Sequence, residues 1–252
     1  MQLLMNEKIL VQLEGIEKTY KVGKLESTVL SNIDLTISEG EYVSICGPSG
    51  CGKSTLLSII GLLNGANKGR YQFIGEDVMS MKSAEHARIR NRQIGFIFQA
   101  FNLSSEMTAA ENVELPLTYR KEMSRKDRKV LVDGMLEKIG MTDFAQHFPS
   151  QLSGGQQQRI AIARALAGKP QIILADEPTG NLDSKAAGIV MDIFDKLNAE
   201  GTTICLVTHD PRSAQKAKRQ VHLFDGRIQS QDVGQKDTAS ESDENEEKLH
   251  IV

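Results

Sequence analysis

The sequence lacks any long apolar run. Its longest hydrophobic stretch, residues 56–63, is interrupted by Ser58 and Gly61 and is far shorter than the roughly 18–20 residues that a membrane-spanning helix needs. Cysteine is scarce, and its three copies form no C-x-x-C pair. This argues against a disulfide framework or a zinc site and favours a reducing, cytoplasmic compartment. The first ten residues show no secretory-signal pattern, so we expect no secretion of the chain.

An excess of basic charge is also missing. The chain of 252 residues has 33 acidic and 30 basic side chains, a formal net charge of −3. This balance excludes a generally basic nucleic-acid binder, and we expect no nucleic-acid partner. Acidic residues are concentrated in residues 231–252, where seven acids accompany two lysines. Because almost no apolar residue precedes Leu249 in this segment, we predict an acidic disordered tail there.

The rest of the chain alternates short apolar segments with helical patterns. Four segments rich in Ile, Val, Leu or Phe are predicted as strands: Tyr42–Cys46, Ile94–Phe98, Ile172–Ala175 and Thr203–Val207. Residues 56–63 and 157–167 are predicted as helices, and Asp225-Gly226 as the turn of a tight hairpin. The alternation predicts the α/β class, with a parallel sheet covered by helices. Residues 100–160 carry two charged helical stretches and no strong strand signal, which predicts a helical insertion.

A glycine-rich segment, which we call the phosphate loop, connects the first predicted strand to a helix. It matches the pattern G-x-x-x-x-G-K-[ST], and its residues are Gly47, Pro48, Ser49, Gly50, Cys51, Gly52, Lys53, Ser54 and Thr55. The glycines let backbone N–H groups turn toward a phosphate, and the helix N-terminus adds partial positive charge. Lys53 is predicted to bridge the β- and γ-phosphates and Ser54 to bind Mg²⁺, whereas Cys51 occupies a free position of the pattern. The alternative is a glycine-rich turn that binds no ligand.

Two acidic residues, Asp176 and Glu177, follow the apolar segment 172–175. They lie where a parallel strand ends, which is the side of an open α/β sheet at which ligands bind. We predict that Asp176 holds Mg²⁺ and that Glu177 polarises an attacking water as general base. Together with the phosphate loop, the two acids predict a P-loop NTPase.

The segment Leu152-Ser153-Gly154-Gly155-Gln156, which we call the signature, precedes an alanine-rich helix. It creates a second helix N-terminus suited to an anion. One nucleotide does not need two such ends from one chain. Two chains packed head to tail do need them, because each segment then caps the nucleotide on the other chain's phosphate loop. Such an interface closes as a symmetric dimer, so we predict a homodimer in the nucleotide-bound state.

With a later Thr208-His209-Asp210, these motifs resemble an ABC-type ATPase domain over about residues 8–230. The resemblance implies a P-loop NTPase sheet core (about 1–98 and 161–230) with an antiparallel β edge and an inserted α-helical subdomain (about 99–160). It implies ATP and Mg²⁺ as cofactors. It also assigns roles to four residues: Tyr20 stacks on adenine, Gln99 senses Mg²⁺ and the attacking water, His209 contacts the γ-phosphate, and Asp183 reaches across the dimer. Asp183 is also placed to cap the next helix.

The implied reaction is ATP hydrolysis at two composite sites. Positioning and electrostatics supply most of the catalysis in such a site. The predicted catalytic residues are Glu177, His209, Gln99 and Lys53, and the predicted metal ligands are Ser54, Gln99 and Asp176. The predicted nucleotide contacts are Tyr20, residues 47–55, Ser153, Gly154, Gly155, Gln156 and Asp183.

Within the ABC ATPases, residues 44–50 and 178–183 resemble the MacB, LolD and FtsE group. That group serves macrolide or antimicrobial-peptide export, lipoprotein release and cell-division complexes. The resemblance implies a subunit on the inner face of the cell membrane that powers a separate integral-membrane permease, with a periplasmic adaptor as a further optional partner. The alternative is a soluble ABC ATPase of cofactor assembly or nucleic-acid processing, without a permease.

The chain departs from the group at two places. Residues 64–70 lack the usual Pro-x-x-Gly turn, and residues 146–151 replace the acidic-glycine segment that precedes the signature in fused drug exporters. Phe101, Leu103 and Met107 either line a groove for a permease's cytoplasmic helix or belong to the core of the helical subdomain. The sequence leaves both alternatives open.

Overall fold

The computed structural model describes residues 8–23 and 25–233, and these form two sheets flanked by helices. The strands are β1 (Ile9–Val22), β2 (Leu25–Ser38), β3 (Tyr42–Cys46), β4 (Lys68–Phe73), β5 (Glu76–Asp77), β6 (Ile94–Phe98), β7 (Ile172–Asp176), β8 (Thr203–Thr208), β9 (Arg219–Phe224) and β10 (Arg227–Val233). The helices are α1 (Lys53–Ile60), α2 (Ser83–Gln93), α3 (Ala109–Thr118), α4 (Arg125–Lys138), α5 (Gly154–Ala167), α6 (Ser184–Ala199) and α7 (Pro211–Gln215).

The larger sheet has six strands in the order β10-β9-β3-β8-β7-β6. All but β10 are parallel to one another, and β10 pairs with β9 as the predicted hairpin at Asp225-Gly226. Strands β7 and β8 are buried over nearly their whole length, because helices cover both faces of a parallel sheet. The four predicted strands are confirmed; β7 and β8 are each one residue longer than predicted.

The smaller sheet is antiparallel, with the order β2-β1-β4-β5. In the second half of β2, buried and exposed residues alternate, so one face of this sheet packs inward and the other faces solvent. Its inward face joins α1 and one face of the larger sheet in a first hydrophobic cluster. The sheet forms the predicted antiparallel edge of the α/β fold.

Helices α3 and α4 make up most of the insertion between β6 and α5, and they pack with α5 and α6 in a second hydrophobic cluster. The predicted domain boundary at residues 160/161 falls inside α5, which contacts both α3 and β6. Strand β10 runs to Val233, three residues into the predicted tail. Residues 234–252 of that tail lie outside the described residues. None of the helices formed by residues 8–23 and 25–233 has the length and apolarity to cross a bilayer.

Candidate nucleotide site

The phosphate loop connects β3 to α1 at the carboxyl end of the larger sheet. A Cβ on Gly47 would lie 2.1 Å from the carbonyl oxygen of Leu223, so only glycine fits there. Gly52 caps α1 in the left-handed region, at φ 105°. These two constraints curl the loop over the start of α1, where unpaired backbone N–H groups suit a phosphate. The Cys51 side chain is buried in the first hydrophobic cluster.

Lys53 closes the loop. Its Nζ donates hydrogen bonds to the carbonyl oxygens of Gly47 and Pro48, each at 2.8 Å. The residue is only 5% exposed, and no carboxylate among the described residues lies within ion-pair distance of it. A buried ammonium bonded only to neutral carbonyls is a strong anion site. A nucleotide phosphate would supply the missing negative charge.

Ser54 and Asp176 bring two oxygens together below the loop. The Ser54 hydroxyl donates to Asp176 Oδ1 at 3.0 Å, across 122 residues of sequence. Burial raises the pKa of Asp176; the nearby Glu177 adds to this rise, while Ser54 and Lys53 oppose it. Among residues 8–23 and 25–233, no group of three His, Cys, Asp or Glu residues could hold a metal by itself. The hydroxyl and carboxylate oxygens of Ser54 and Asp176 fit Mg²⁺ shared with substrate phosphates, since Mg²⁺ commonly takes only one or two protein ligands there.

Glu177 and His209 face each other across the ends of β7 and β8. His209 Nδ1 lies 2.9 Å from Glu177 Oε1. Glu177 has φ 45°, in the left-handed region, and its N–H donates to the Val207 carbonyl at 2.8 Å. A non-glycine residue held in that region is strained, and such strain is concentrated at functional sites. The pair lines a cavity of about 440 Å³ together with the segment after β8.

Among the described residues, the Gln99 side chain forms no hydrogen bond with Ser54 or Asp176, the other two predicted magnesium ligands. Its Nε2 donates to Asn181 Oδ1 at 3.3 Å, and Asn181 Nδ2 donates back to the Gln99 carbonyl at 3.0 Å. The Gln99 amide also packs on Gly180, where an added Cβ would lie 2.6 Å away. Gln99 is thus docked on the segment that follows Glu177, and its predicted contact with Mg²⁺ stays a prediction.

The signature residues form a separate cluster. Ser153 caps α5: its Oγ accepts from the Gln156 N–H at 3.3 Å, and Gln156 Oε1 accepts from the Ser153 N–H at 2.8 Å. Asp183 caps α6 by accepting from the Ala186 N–H at 2.8 Å, as its position before a helix suggested. Gly155 is packed closely against Ala186. No hydrogen bond among the described residues joins this cluster to the phosphate loop.

Tyr20 lies on β1, opposite Ser27 of β2, and is 38% exposed. The Lys18 ammonium lies 4.9 Å from the centroid of its ring, in a cation–π contact. One side of the ring is therefore occupied by a cation. Stacking on adenine would use the other side and stays a prediction.

Gln158 is a residue that the sequence analysis missed. Its side chain is fully buried, and Nε2 donates to the Pro178 carbonyl at 2.7 Å and more weakly to the Phe98 carbonyl at 3.5 Å. Pro178 follows Glu177, and Phe98 precedes Gln99. One amide on the signature helix thus holds both loops that carry predicted catalytic residues. A polar residue on the buried side of an otherwise Ala- and Ile-rich helix was the only available signal.

We expect Gln158→Leu to lower kcat about tenfold and to leave ATP affinity unchanged. Leucine keeps most of the volume but donates no hydrogen bond, so the loops after Phe98 and Glu177 lose their common anchor. The accompanying loss of stability should be about 1–3 kcal/mol. Steady-state kinetics with a nucleotide titration tests this. Gln157→Leu on the same helix is the matched control, since it removes only a bond to the Leu152 carbonyl. Equal kcat in both variants would refute the anchoring role.

A second cavity, of about 770 Å³, opens between β6, α2, α3 and the end of α5. Its apolar lining includes Leu63, Phe96, Phe98, Pro116 and Tyr119. Leu63 is 49% exposed and Tyr119 is 71% exposed. The cavity has the size of a ligand or short-peptide site.

Four arginines surround this apolar lining: Arg88, Arg90, Arg92 and Arg164. We call the whole cavity the arginine groove. Arg164 donates to the carbonyls of Phe101 and Asn102. These two residues have φ 59° and 51°, so the segment after Gln99 is strained and is held by a side chain of the groove.

Phe101, Leu103 and Met107 do not line the arginine groove; Asn102 is the member of their segment that does. Leu103 packs against the second hydrophobic cluster, which was the alternative for these residues. The Phe101 ring lies 3.6 Å from where a Cβ on Gly154 would be. The left-handed backbone at Phe101 and Asn102 redirects the chain, and a sequence pattern does not reveal such a turn.

Comparison with known proteins gives consistent results. A family model described as ABC transporter matches residues 30–180. The ABC transporter ATP-binding protein YknY of Bacillus subtilis is 50% identical over 227 residues, which is 90% of this chain and 98% of YknY. The macrolide export ATP-binding/permease protein MacB 2 of Aeromonas hydrophila is 48% identical over 230 residues, which is 91% of this chain. The match covers 35% of MacB 2, so this chain spans about a third of that relative.

Among solved structures, the chain is similar to the ATP-binding cassette MJ0796, in a dimeric post-hydrolysis state bound to ADP and Pi. The TM-score is 0.83 at 45% identity, over 89% of this chain and 98% of the cassette chain.

Proposed function

Because the chain belongs to the ABC transporter family and is an ATPase of its ATP-binding type, we propose that two copies of it close around ATP and power a separate membrane permease. The work done is export, or mechanical work on an extracytoplasmic substrate such as an antimicrobial peptide, a macrolide or a lipoprotein. The observation that carries the proposal is the division of the site. The phosphate loop with Asp176 and Glu177 forms one half, and the signature residues at the N-terminus of α5 form the other. No hydrogen bond among the described residues joins the two halves within one chain.

In the proposed mechanism, the phosphates bind to the N–H groups of residues 47–55 and to Lys53. Ser54 and Asp176 would hold the Mg²⁺ that accompanies ATP, and the ion would neutralise charge on the phosphate oxygens. Lys53 exchanges its two carbonyl partners for phosphate oxygens, which form stronger charge-assisted hydrogen bonds. Most of the catalytic effect comes from positioning and electrostatics.

Glu177 accepts the proton of the attacking water in this mechanism. Its side chain is half-buried, and its backbone N–H donates to the Val207 carbonyl. His209 orients it through Nδ1, and its exposed ring contacts the γ-phosphate through the other nitrogen. The N-terminus of α5 from the second copy, at Ser153 and Gln156, covers the same phosphate. It can do so because Ser153, which caps that helix, is exposed. ATP binding therefore favours the closed dimer, and hydrolysis removes the bridge.

The arginine groove is the proposed docking site of the permease. Its exposed apolar lining and its cations suit a short cytoplasmic segment of the permease. A segment bound there would contact Arg164, which holds the carbonyls of Phe101 and Asn102, two and three residues after Gln99. Movement of the permease would thereby be transmitted through Arg164 to the loop that begins at Gln99. The relation to MacB 2, an ATP-binding/permease protein, supports a transporter partner.

We expect a tagged chain, purified from detergent-solubilised membranes of its native host with ATP and Mg²⁺, to recover a polytopic membrane protein in equal amounts. Tyr119→Ala should reduce that recovery at least tenfold, because it removes an exposed aromatic side chain from the groove. Val130→Ala is the matched control: Val130 is 65% exposed on α4, away from the groove. Both variants should bind ATP normally.

Two outcomes would contradict the permease proposal. Recovery of soluble partners alone, with no tagged protein in the membrane fraction, would favour a cytosolic ABC ATPase of cofactor assembly or nucleic-acid processing. Equal loss of the membrane partner with Tyr119→Ala and Val130→Ala would show that the groove is not the contact.

A further inference from the structure

The arginine groove holds more positive charge than the described residues neutralise. Arg92 pairs with Glu122. Arg90 bonds to the Leu62 carbonyl at 2.7 Å and Arg164 to two other carbonyls, while Arg88 is exposed. No carboxylate of residues 8–23 and 25–233 lies within ion-pair distance of Arg88, Arg90 or Arg164. Cations beside apolar walls, with carbonyl partners only, attract an acidic ligand more strongly than the same cations in open solvent.

The chain itself contains a segment with the complementary charge. Residues 234–252 hold six acidic residues and two lysines, and they end in the apolar group Leu249, Ile251 and Val252. The acids match the guanidinium groups, and the apolar group matches the exposed lining at Leu63 and Tyr119. Guanidinium–carboxylate pairs are among the stronger contacts available to a short segment.

The sheet topology places the start of this segment at the same edge of the larger sheet as the arginine groove. Val233 pairs with Arg219, the first residue of β9, which is parallel to β6 and β7 in the same sheet. The groove residues Ile94 and Pro170 also lie where β6 and β7 begin. Five strand spacings separate β10 from β6, or about 24 Å. Nineteen extended residues reach about 60 Å, so the segment is more than long enough.

We infer that residues 234–252 bind the arginine groove of their own chain through carboxylate–guanidinium contacts. Attachment to the same chain gives an effective concentration in the millimolar range, so even a weak contact is populated. One consequence rests on the proposed function: the segment occupies the permease site until a permease displaces it. A subunit without a permease then does not bind other acidic partners in the groove.

Amide hydrogen exchange of the isolated, nucleotide-free protein tests the contact without any permease. Three forms are compared: the full chain, a chain ending at Val233, and a full chain whose six acids in residues 234–252 are replaced by the corresponding amides. We expect exchange around residues 116–122, which include the exposed groove residue Tyr119, to be about threefold slower in the full chain than in the other two. Equal exchange in all three forms would overturn the inference. Protection that persists with the neutralised segment would overturn its electrostatic basis.

Cross-linking tests the location. Arg88→Lys keeps the positive charge and introduces an amine that a carbodiimide can join to a carboxylate; Arg88 is exposed and forms no hydrogen bond or ion pair with the described residues. We expect the introduced lysine to be the main site joined to residues 234–252, to the same extent over a tenfold dilution. Equal cross-linking of residues 234–252 to all exposed lysines would refute binding in the groove. A cross-linking yield that falls on dilution would refute binding within one chain. Neither experiment contains a permease, so failure of the proposed function leaves both readouts valid.

Discussion

Replacing Glu177 by Gln is expected to reduce ATP hydrolysis about 10²- to 10⁴-fold, the range for loss of a general base, while ATP still binds. The amide has nearly the same shape as the carboxylate and remains within hydrogen-bond distance of His209 Nδ1, but it cannot accept the proton of water. Nucleotide contacts at Lys53 and Ser54 are untouched. ATP therefore stays in the site, and the closed dimer should accumulate.

Phosphate release, an ATP-binding titration and the mass of the complex in solution together measure this. Glu200→Gln is the matched control, since it makes the same chemical change at an exposed ion pair with Lys138. The control should hydrolyse ATP normally and form no long-lived dimer. Turnover of Glu177→Gln within about tenfold of the native protein would reject the general-base assignment. Loss of ATP binding would instead assign Glu177 to nucleotide binding.

The parallel sheet was predictable because its strands are buried on both faces. Segments such as Ile204–Val207 are continuously apolar and are flanked by polar residues, so the pattern alone identifies them. The phosphate loop was predictable for a different reason. Its glycines are required by contacts as close as that between Gly47 and Leu223, and this requirement leaves a fixed spacing in the sequence.

The antiparallel sheet was expected only as an edge, and its strands were not located. In β1, register shifts between Leu13 and Thr19 interrupt the alternation that would reveal a half-buried strand. Helix α2 was missed as well, because Ile89 is its only buried residue and a helical period cannot be read from one position. The smaller sheet packs its inward face against α1 and the larger sheet, and no local pattern encodes that contact.

The candidate site likewise contains residues that the sequence reveals and contacts that it does not. Local motifs predict Lys53, Ser54, Asp176 and Glu177, and the fold brings these four together. The contacts of Gln99, the anchoring by Gln158 and the arginine groove depend on segments far apart in the chain. Gln158 meets Pro178 across 20 residues and Phe98 across 60. Such contacts require the packing of α5 on the sheet, which no single segment encodes.

Replacing Lys53 by Ala is expected to weaken ATP binding about 10- to 100-fold. A hydrogen bond to a charged group contributes about 1.5–3 kcal/mol, and each 1.4 kcal/mol is a factor of ten in affinity. Lys53 is the cation that closes the phosphate loop, and alanine leaves the Gly47 and Pro48 carbonyls without a donor. The nucleotide-free variant should therefore also be less stable than the native protein, by about 1–3 kcal/mol.

The increase in Tm on adding ATP and Mg²⁺ separates these two effects, because each protein is compared with its own nucleotide-free form. At an ATP concentration 100 times the native Kd, binding stabilises the native fold by about 2.7 kcal/mol. A variant with 100-fold weaker binding gains only about 0.4 kcal/mol under the same conditions. At about 2–4 °C per kcal/mol, the native shift is several degrees and the variant shift about one. Lys129→Ala, at an exposed ion pair on α4, should keep the native shift. A native-sized shift in Lys53→Ala would show that ATP binds without this side chain, and the phosphate-loop assignment would fail at its central residue.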